Sequence, residues 1–263
     1  MKILSLDASG LVASVALSDG DQLLGEYTTN TKKTHSRTLL PMVDALLKLT
    51  GETKDSIEAI AVAGGPGSFT GLRIGSATAK GLAFAWNVPI ISVPTVDAIA
   101  YNMAGAEGLV CPILDARRQQ TYTGIYSFHT NADHTVAMDV LRPECAVSIE
   151  EIIEDLNERG QKVTFLGDGI PVFRDRIREE LTVPYSFAPF HERLQRAGAL
   201  AALANVYAGE GKLEKGEDHR PNYLRDSQAE RERKQKLNSK KSAGQDEKQA
   251  EKSLAQTGKE NQK

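Results

Sequence analysis

Glycine dominates a stretch whose composition is typical of phosphate binding, AVAGGPGSFTGLRIG at positions 61–75. A glycine-rich turn before a helix exposes backbone N–H groups that favour an anion. A Walker A loop requires Lys after its last glycine, but Leu72 follows Gly71 here. The spacing of Gly65, Gly67 and Gly71 is one residue too long for the dinucleotide-binding fingerprint. Neither standard nucleotide motif is therefore present.

Two short turns contain further candidate nucleotide contacts. Asp7 and Ser9 occur in LDAS, at the end of the first predicted strand. A carboxylate and a hydroxyl in such a turn can hold a phosphate through Mg²⁺, although both residue types are also ordinary in turns. Gly167, in GDG after a later predicted strand, is placed like a second phosphate loop. Both signals are short, and each has a plain structural interpretation as a turn.

Metal ligands and nucleophiles are the next candidates. His35 begins a predicted helix, but Leu39 occupies the i+4 position where a second ligand would share its face. Cys111 and Cys145 are far apart and form no CxxC pair, which argues against a zinc site and a disulfide framework. The chain has no GxSxG nucleophile motif. We therefore predict no metal site and no catalytic residue in this chain.

The predicted secondary structure repeats itself. Hydrophobic periodicity in residues 1–105 predicts three strands, a helix, a strand, a helix, a strand and a helix. Residues 106–225 repeat the order βββαβα and add an alanine-rich helix, without recognisable sequence identity between the halves. Two such units suggest a duplicated α/β fold with mixed sheets and a cleft between two lobes. Actin-like ATPases have this arrangement, so the step rests on analogy between folds.

The helix after the glycine-rich turn has two faces of small residues. One face carries Gly71, Gly75 and Ala79, and the other carries Ala77, Gly81 and Ala85. Glycine inside a helix costs about 1 kcal/mol relative to alanine, so three glycines in one helix require a reason. Small faces let another backbone approach closely. One face can pack on the protein's own sheet, and the second leaves a helix contact with another subunit open.

Charge and hydropathy limit the class of protein. The 263 residues have a net charge of −3, which gives no overall electrostatic footprint for nucleic acid. From about Asp226 nearly every residue is polar or charged, so we expect a disordered tail, 226–263, after a globular part. No run approaches the roughly 18 apolar residues of a membrane span, and Asp7 interrupts the apolar start of the sequence, so we expect no signal peptide. We expect a cytoplasmic protein without membrane contact.

Six segments, in order along residues 1–225, carry a family resemblance. They are LSLDAS…SVAL, THSRTLLPMVDALL, VAGGPGSFTGLRIGSATAKGLAFAWNVPIISVPTVDAIA, PILDARRQQTY, FLGDG and PNYLR. They resemble the TsaB (YeaZ) family, bacterial subunits used in making threonylcarbamoyladenosine beside the tRNA anticodon. The resemblance implies a duplicated actin-like (ASKHA, RNase H-like) fold with lobes at 1–105 and 106–225. It also implies kinship with the catalytic subunit TsaD.

The same resemblance implies a non-catalytic role in a complex. TsaD-type subunits hold a metal through an HxxxH pair, of which this chain keeps His35 but has Leu39 in second place. Ala8 stands where the family's phosphate turn has Thr, which weakens that turn further. The implied partners are TsaD, bound through the first two helices, and the ATPase TsaE. ATP or ADP and metal are then expected in the partner subunits, and tRNA is reached only through the complex.

A set of residues on the first two helices is predicted to form the contact with TsaD, or with a second copy when TsaD is absent. They are His35, Leu39, Val43, Leu46, Leu47, Gly71, Arg73, Gly75 and Ala79. Two alternatives stay open at this point. The chain is an actin-like enzyme in its own right, either a glycoprotease-type metallopeptidase or a small-molecule kinase, or it is a free-standing tRNA-binding module.

Overall fold

Two five-stranded sheets, each with helices beside it, make up the described part of the chain. The structure is a computed structural model, and it describes residues 1–31 and 33–225. The predicted tail, 226–263, lies outside the described residues. Met1–Leu224 form one compact unit. The predicted division of this unit into lobes at residue 105 stays a prediction.

The first sheet has the strand order β3-β2-β1-β4-β5. Its strands are β1 (Lys2–Asp7), β2 (Ala13–Asp19), β3 (Gln22–Thr29), β4 (Ala59–Gly65) and β5 (Ile90–Pro94). The first three strands are antiparallel neighbours, whereas β4 lies parallel to β1 and β5 lies parallel to β4. The helices of this half are α1 (His35–Thr50), α2 (Phe69–Trp86) and α3 (Thr95–Ala100).

The second sheet has the order β10-β9-β6-β7-β8. Its strands are β6 (Leu109–Asp115), β7 (Gln120–Thr130), β8 (Val136–Ser148), β9 (Val163–Leu166) and β10 (Tyr185–Phe187). Its helices are α4 (Ile149–Arg159) and α5 (Ile170–Glu180), and α6 (Ala197–Gly209) follows. The sequence pattern did not predict β10, because three residues are too few to show a period of two.

The two sheets share one topology, which confirms the predicted duplicated actin-like fold. Read from its long antiparallel edge, each sheet has its third strand first, followed by the second, first, fourth and fifth. In each sheet the first three strands form an antiparallel meander, and the fourth pairs parallel to the first. The repeat predicted from element order is therefore also a repeat of strand pairing.

Successive side chains of each strand point to opposite faces of the sheet, and this alternation divides the core into layers. Leu4 and Leu6 of β1 pack with α1 and α2 on one face of the first sheet, and Ile3 packs with α6 on the other. In the second sheet, Ile113 of β6 packs with α4 and α5, whereas Leu114 packs with α3. Helices α3 and α6 therefore lie on the inner faces, and α1 and α2 form an outer layer.

Candidate functional site

The glycine-rich turn is packed against the protein's own backbone. A Cβ at Gly67 would overlap the carbonyl oxygen of Ser9, and a Cβ at Gly71 would overlap that of Ala8. The Ser68 N–H donates to the same Ser9 carbonyl at 2.7 Å. The glycines are therefore needed because the β1–β2 turn approaches the start of α2 closely.

Helix α2 begins and ends with recognisable capping residues. Ser68 is its N-cap, and its hydroxyl accepts a hydrogen bond from the Gly71 N–H at 3.3 Å. Asn87 ends the helix in the left-handed conformation with φ of 55°. These caps hold the helix in register, so its two small faces have definite directions.

Asp7 and Ser9 are turned into the chain and offer a nucleotide no exposed group. Asp7 is 1% exposed and Ser9 is 2% exposed. One Asp7 oxygen, Oδ1, accepts from the Ser9 backbone N–H at 2.8 Å and from its hydroxyl at 2.7 Å. Burial raises the pKa of Asp7 to about 6, although the Ser9 hydrogen bonds and nearby His35 act in the opposite direction. Among the described residues the other oxygen of Asp7, Oδ2, is buried without a hydrogen-bond partner.

Two side chains from elsewhere close over this turn. His35 Nε2 lies 2.8 Å from the carbonyl oxygen of Gly10, the next residue in the turn. Gln195, which is 2% exposed, lies against Gly10 so closely that a Cβ there would overlap its side-chain amide. The histidine predicted as a leftover metal ligand therefore contacts the backbone of the β1–β2 turn.

The GDG turn at Gly167 is packed in a similar way. Gly167 has φ of +108°, and a Cβ there would overlap the carbonyl oxygen of Ile113 in β6. Its N–H donates to the Arg193 carbonyl at 2.7 Å. Asp168 accepts from the Asp115 N–H at 3.1 Å, and burial raises the pKa of its carboxyl. Gly167, one of the candidate nucleotide contacts, is therefore buried against the backbone of the chain itself.

Most of the predicted partner contacts point inward in this chain, and their contact with TsaD or with a second copy stays a prediction. Six of the nine are buried in the chain's own core or against its first sheet: Leu39, Val43, Leu46, Gly71, Gly75 and Ala79. His35 and Leu47 are partly buried, and Arg73 is exposed. The apolar stripe of α1 and the first small face of α2 are used to cover the sheet, so their side chains do not form a surface in this chain.

The second small face of α2 is the exposed one. Ala77, Gly81 and Ala85 are exposed, and a Cβ at Gly81 would meet nothing within 4 Å. Phe84, beside them, is 89% exposed, and Leu40 on α1 is 52% exposed. We define these five residues together with Arg73 as the α1–α2 surface. Sequence reasoning missed both side chains: Leu40 is spaced with Val43 and Leu47 at i, i+3 and i+7, so the pattern places it on the apolar stripe of α1.

Arg73 is held in place within this surface. Its guanidinium lies 3.9 Å from the centre of the Phe69 ring. The Phe69 ring in turn packs against Tyr223, with ring centres 4.7 Å apart. The charged group at the edge of the α1–α2 surface is therefore supported by an aromatic pair.

The described residues contain no group of three His, Cys, Asp or Glu side chains that could hold a metal ion. Cys111 is buried and Cys145 is partly buried, and both are free thiols. None of the helices in the described ranges combines the length and apolar character needed to cross a membrane.

Comparison with known proteins gives consistent results. A family model described as "TsaD: tRNA N6-adenosine threonylcarbamoyltransferase" matches residues 22–233. The "tRNA threonylcarbamoyladenosine biosynthesis protein TsaB" of Bacillus subtilis (strain 168) is 33% identical, covering 88% of this chain and 96% of that protein. Its Escherichia coli (strain K12) counterpart is 32% identical, covering 87% and 96%. The structure titled "YeaZ from Pseudomonas aeruginosa" is 27% identical with a TM-score of 0.69, covering 85% of this chain and 99% of that one.

These relatives are matched over nearly their whole length, and the fold agrees with a solved structure of the same family. The family predicted from the six sequence segments is confirmed. The chain belongs to the TsaB family of tRNA threonylcarbamoyladenosine biosynthesis proteins.

Proposed function

We propose that this chain is the non-catalytic dimerisation subunit of the complex that transfers a threonylcarbamoyl group to N6 of the adenosine beside the tRNA anticodon. It pairs with the catalytic subunit TsaD, activates it and recruits the ATPase TsaE. Support comes from the names of the relatives and from the TsaD family model, which matches most of the chain. Two related subunits can pair through equivalent surfaces, as two copies of one chain do.

The observation that carries the proposal is the α1–α2 surface. Phe84 and Leu40 are large apolar side chains left exposed on helices whose inner faces are fully used. Ala77, Gly81 and Ala85 beside Phe84 give a smooth strip on which a partner helix can approach closely. Exposed aromatic side chains next to such a strip are typical interface anchors. The same surface serves a homodimer when TsaD is absent.

In this proposal the partner subunits, and not this chain, carry out the catalytic steps. Asp7 Oδ1, Ser9 and His35 Nε2 make hydrogen bonds inside the chain, and Ser9 lies against the start of α2. ATP or ADP and metal then belong to TsaD and TsaE, and tRNA is reached through the assembled complex. Support for this division is the burial of the β1–β2 turn, where Asp7 and Ser9 are almost fully covered by the chain.

Replacing Gly81 by Leu tests the surface. The new side chain would project from the exposed strip, where a Cβ meets nothing within 4 Å, so the monomer stays folded. We expect TsaD binding to weaken by about tenfold or more, measured by titration calorimetry, because the partner helix can no longer approach. Gly75→Leu is unsuitable, since its side chain would be forced against Ala8 and Val62 in the core.

Gly209→Leu is the matched control. Gly209 also lies in a helix, α6, and a Cβ there also meets nothing within 4 Å. This variant should bind TsaD like the native chain. Unchanged TsaD affinity in the Gly81→Leu protein would show that partner contact lies elsewhere.

Reconstitution tests the function itself. Purified TsaD, TsaE, ATP, threonine, bicarbonate, the enzyme that makes the threonylcarbamoyl donor and unmodified tRNA are combined with and without this chain. We expect modified adenosine, detected by mass spectrometry of digested tRNA, only when the chain is present. Equal modification without it would refute the proposal. ATP or protein hydrolysis by the isolated chain, lost in Asp7→Ala, would favour an enzyme instead.

A further inference from the structure

The β1–β2 turn holds the start of α2 through two successive carbonyl groups. A Cβ at Gly71 would overlap the Ala8 carbonyl oxygen, so this backbone atom touches the first turn of α2. The Ser9 carbonyl accepts from the backbone N–H of Ser68, the N-cap of α2, at 2.7 Å. Both contacts involve backbone on each side, so a shift of the turn and a shift of the start of α2 are coupled.

The next carbonyl of the same turn reaches α1. The Gly10 oxygen lies 2.8 Å from Nε2 of His35, the first residue of α1. Because a carbonyl oxygen only accepts, Nε2 carries a proton and donates it. Thr34, the N-cap of α1, makes no side-chain hydrogen bond to the helix, so the histidine ring supplies a polar link at this end. The starts of both helices are therefore held on one short turn.

Gln195, which precedes α6, limits the movement of this turn. The three atoms nearest to a Cβ built at Gly10 all belong to the terminal amide of Gln195, so the amide packs on the Cα of Gly10. Gln195 is buried, and its side chain therefore offers no surface to a partner protein. Any effect of this residue on partner binding must pass through the turn that it contacts.

We propose that Gln195 and His35 are positioning residues of the α1–α2 surface, which act on partner affinity through the β1–β2 turn. The inference rests on the proposed function, in which this surface binds TsaD. Leu40 lies on α1 and Phe84 on α2, so a partner meets both only when the two helices keep one relative position. A chain whose turn shifts spends less time in that arrangement, and its apparent affinity falls in proportion.

Titration calorimetry of the full chain with TsaD measures this loss. We expect about fivefold weaker binding for Gln195→Ala and for His35→Leu, since each removes a contact that holds the turn. His35→Gln should bind within about twofold of the native chain, because its amide can supply an N–H donor in place of Nε2. Thr164→Ala is the matched control. It removes a buried hydroxyl that contacts Ser186 in the second sheet, and it should bind TsaD like the native chain.

Hydrogen exchange of the Ser68 amide tests the positioning step without TsaD. This N–H bonds to a carbonyl of the turn, so its protection reports how firmly the turn holds α2. We expect its protection to fall about fivefold in Gln195→Ala and His35→Leu, and to stay near the native value in His35→Gln. The Leu109 amide, which is hydrogen-bonded in the second half of the chain, is the internal reference and should keep its protection.

Two results would overturn the proposal. One is native TsaD affinity in both Gln195→Ala and His35→Leu. The other is an equal loss of protection at Ser68 and Leu109, which would indicate a general loss of stability. His35 is only partly buried, so His35→Leu decides the matter even where Gln195→Ala fails to fold. A native chain that does not bind TsaD would refute the proposed function instead, whereas Ser68 protection would still show whether these side chains hold the turn.

Discussion

The three glycines inside α2 should respond differently to the same substitution, Gly→Ala. At Gly71 the new methyl group would overlap the Ala8 carbonyl oxygen, a backbone atom that cannot move without shifting β1. At Gly75 it would lie 3.6 Å from the Ala8 Cβ and 3.7 Å from a Val62 methyl, which is ordinary contact. At Gly81 it would meet nothing within 4 Å.

The magnitudes follow from these distances. Alanine is better than glycine inside a helix by about 1 kcal/mol, which is the whole expected gain in unfolding free energy at Gly81. At Gly75 the methyl also buries apolar surface against the sheet, so the gain rises to about 1–2 kcal/mol. At Gly71 the overlap forces the backbones apart, and we expect a loss of about 2–3 kcal/mol.

Urea unfolding of the three variants and the native chain, followed by far-ultraviolet circular dichroism, measures these differences. The slope against urea concentration should stay constant, so that shifts of the midpoint report stability alone. Gly81→Ala is the internal control, because this substitution gains the higher helix propensity of alanine without forming any new contact. Equal stability of Gly71→Ala and Gly75→Ala would refute the close approach of the β1–β2 turn to α2.

Two further predictions concern single polar side chains. Ser68→Ala and Ser148→Ala each remove an N-cap hydroxyl that accepts a backbone N–H, and each should cost about 1 kcal/mol in thermal or urea unfolding. Thr34→Ala should cost much less, because Thr34 caps α1 without a side-chain hydrogen bond; an equal loss would contradict the capping account. The raised pKa of Asp7 means that its contribution to stability is present below pH 3.8 and is lost as the pH rises through about 6. The native chain should therefore lose about 2 kcal/mol relative to Asp7→Asn between pH 4 and pH 7 in urea unfolding, and a pH-independent difference would contradict the buried carboxyl.

The sequence predicted the repeating architecture because that information is local. Each half places three β-rich runs before a helix, and the strand order confirms that the order of elements is repeated in space. The short β10 was missed, since its three residues become a strand only by pairing with β9. The order of the longer strands and helices could thus be predicted from hydrophobic periodicity, whereas an edge strand of three residues could not.

The β1–β2 turn shows that contacts between residues distant in the sequence cannot be predicted from a local sequence pattern. LDAS has the composition of a phosphate turn, and nothing within it indicates that Gln195 and His35 lie over Gly10. These residues are far apart in sequence and meet only after the chain has folded. The failure of the Walker and dinucleotide motifs was visible in the sequence, but the reason for the glycines was not: the Ala8 and Ser9 carbonyls approach them.

Helix α2 shows both what the sequence alone determined and what only the tertiary structure decided. Residues two apart on a helix point about 200° apart around its axis, so the sequence alone determined that the two small faces are nearly opposite. It could not determine which face is inside, because both consist of glycine and alanine. The tertiary structure decided this by placing the β1–β2 turn and Val62 against the face of Gly71 and Gly75. The face of Ala77 and Gly81 remains exposed beside Phe84.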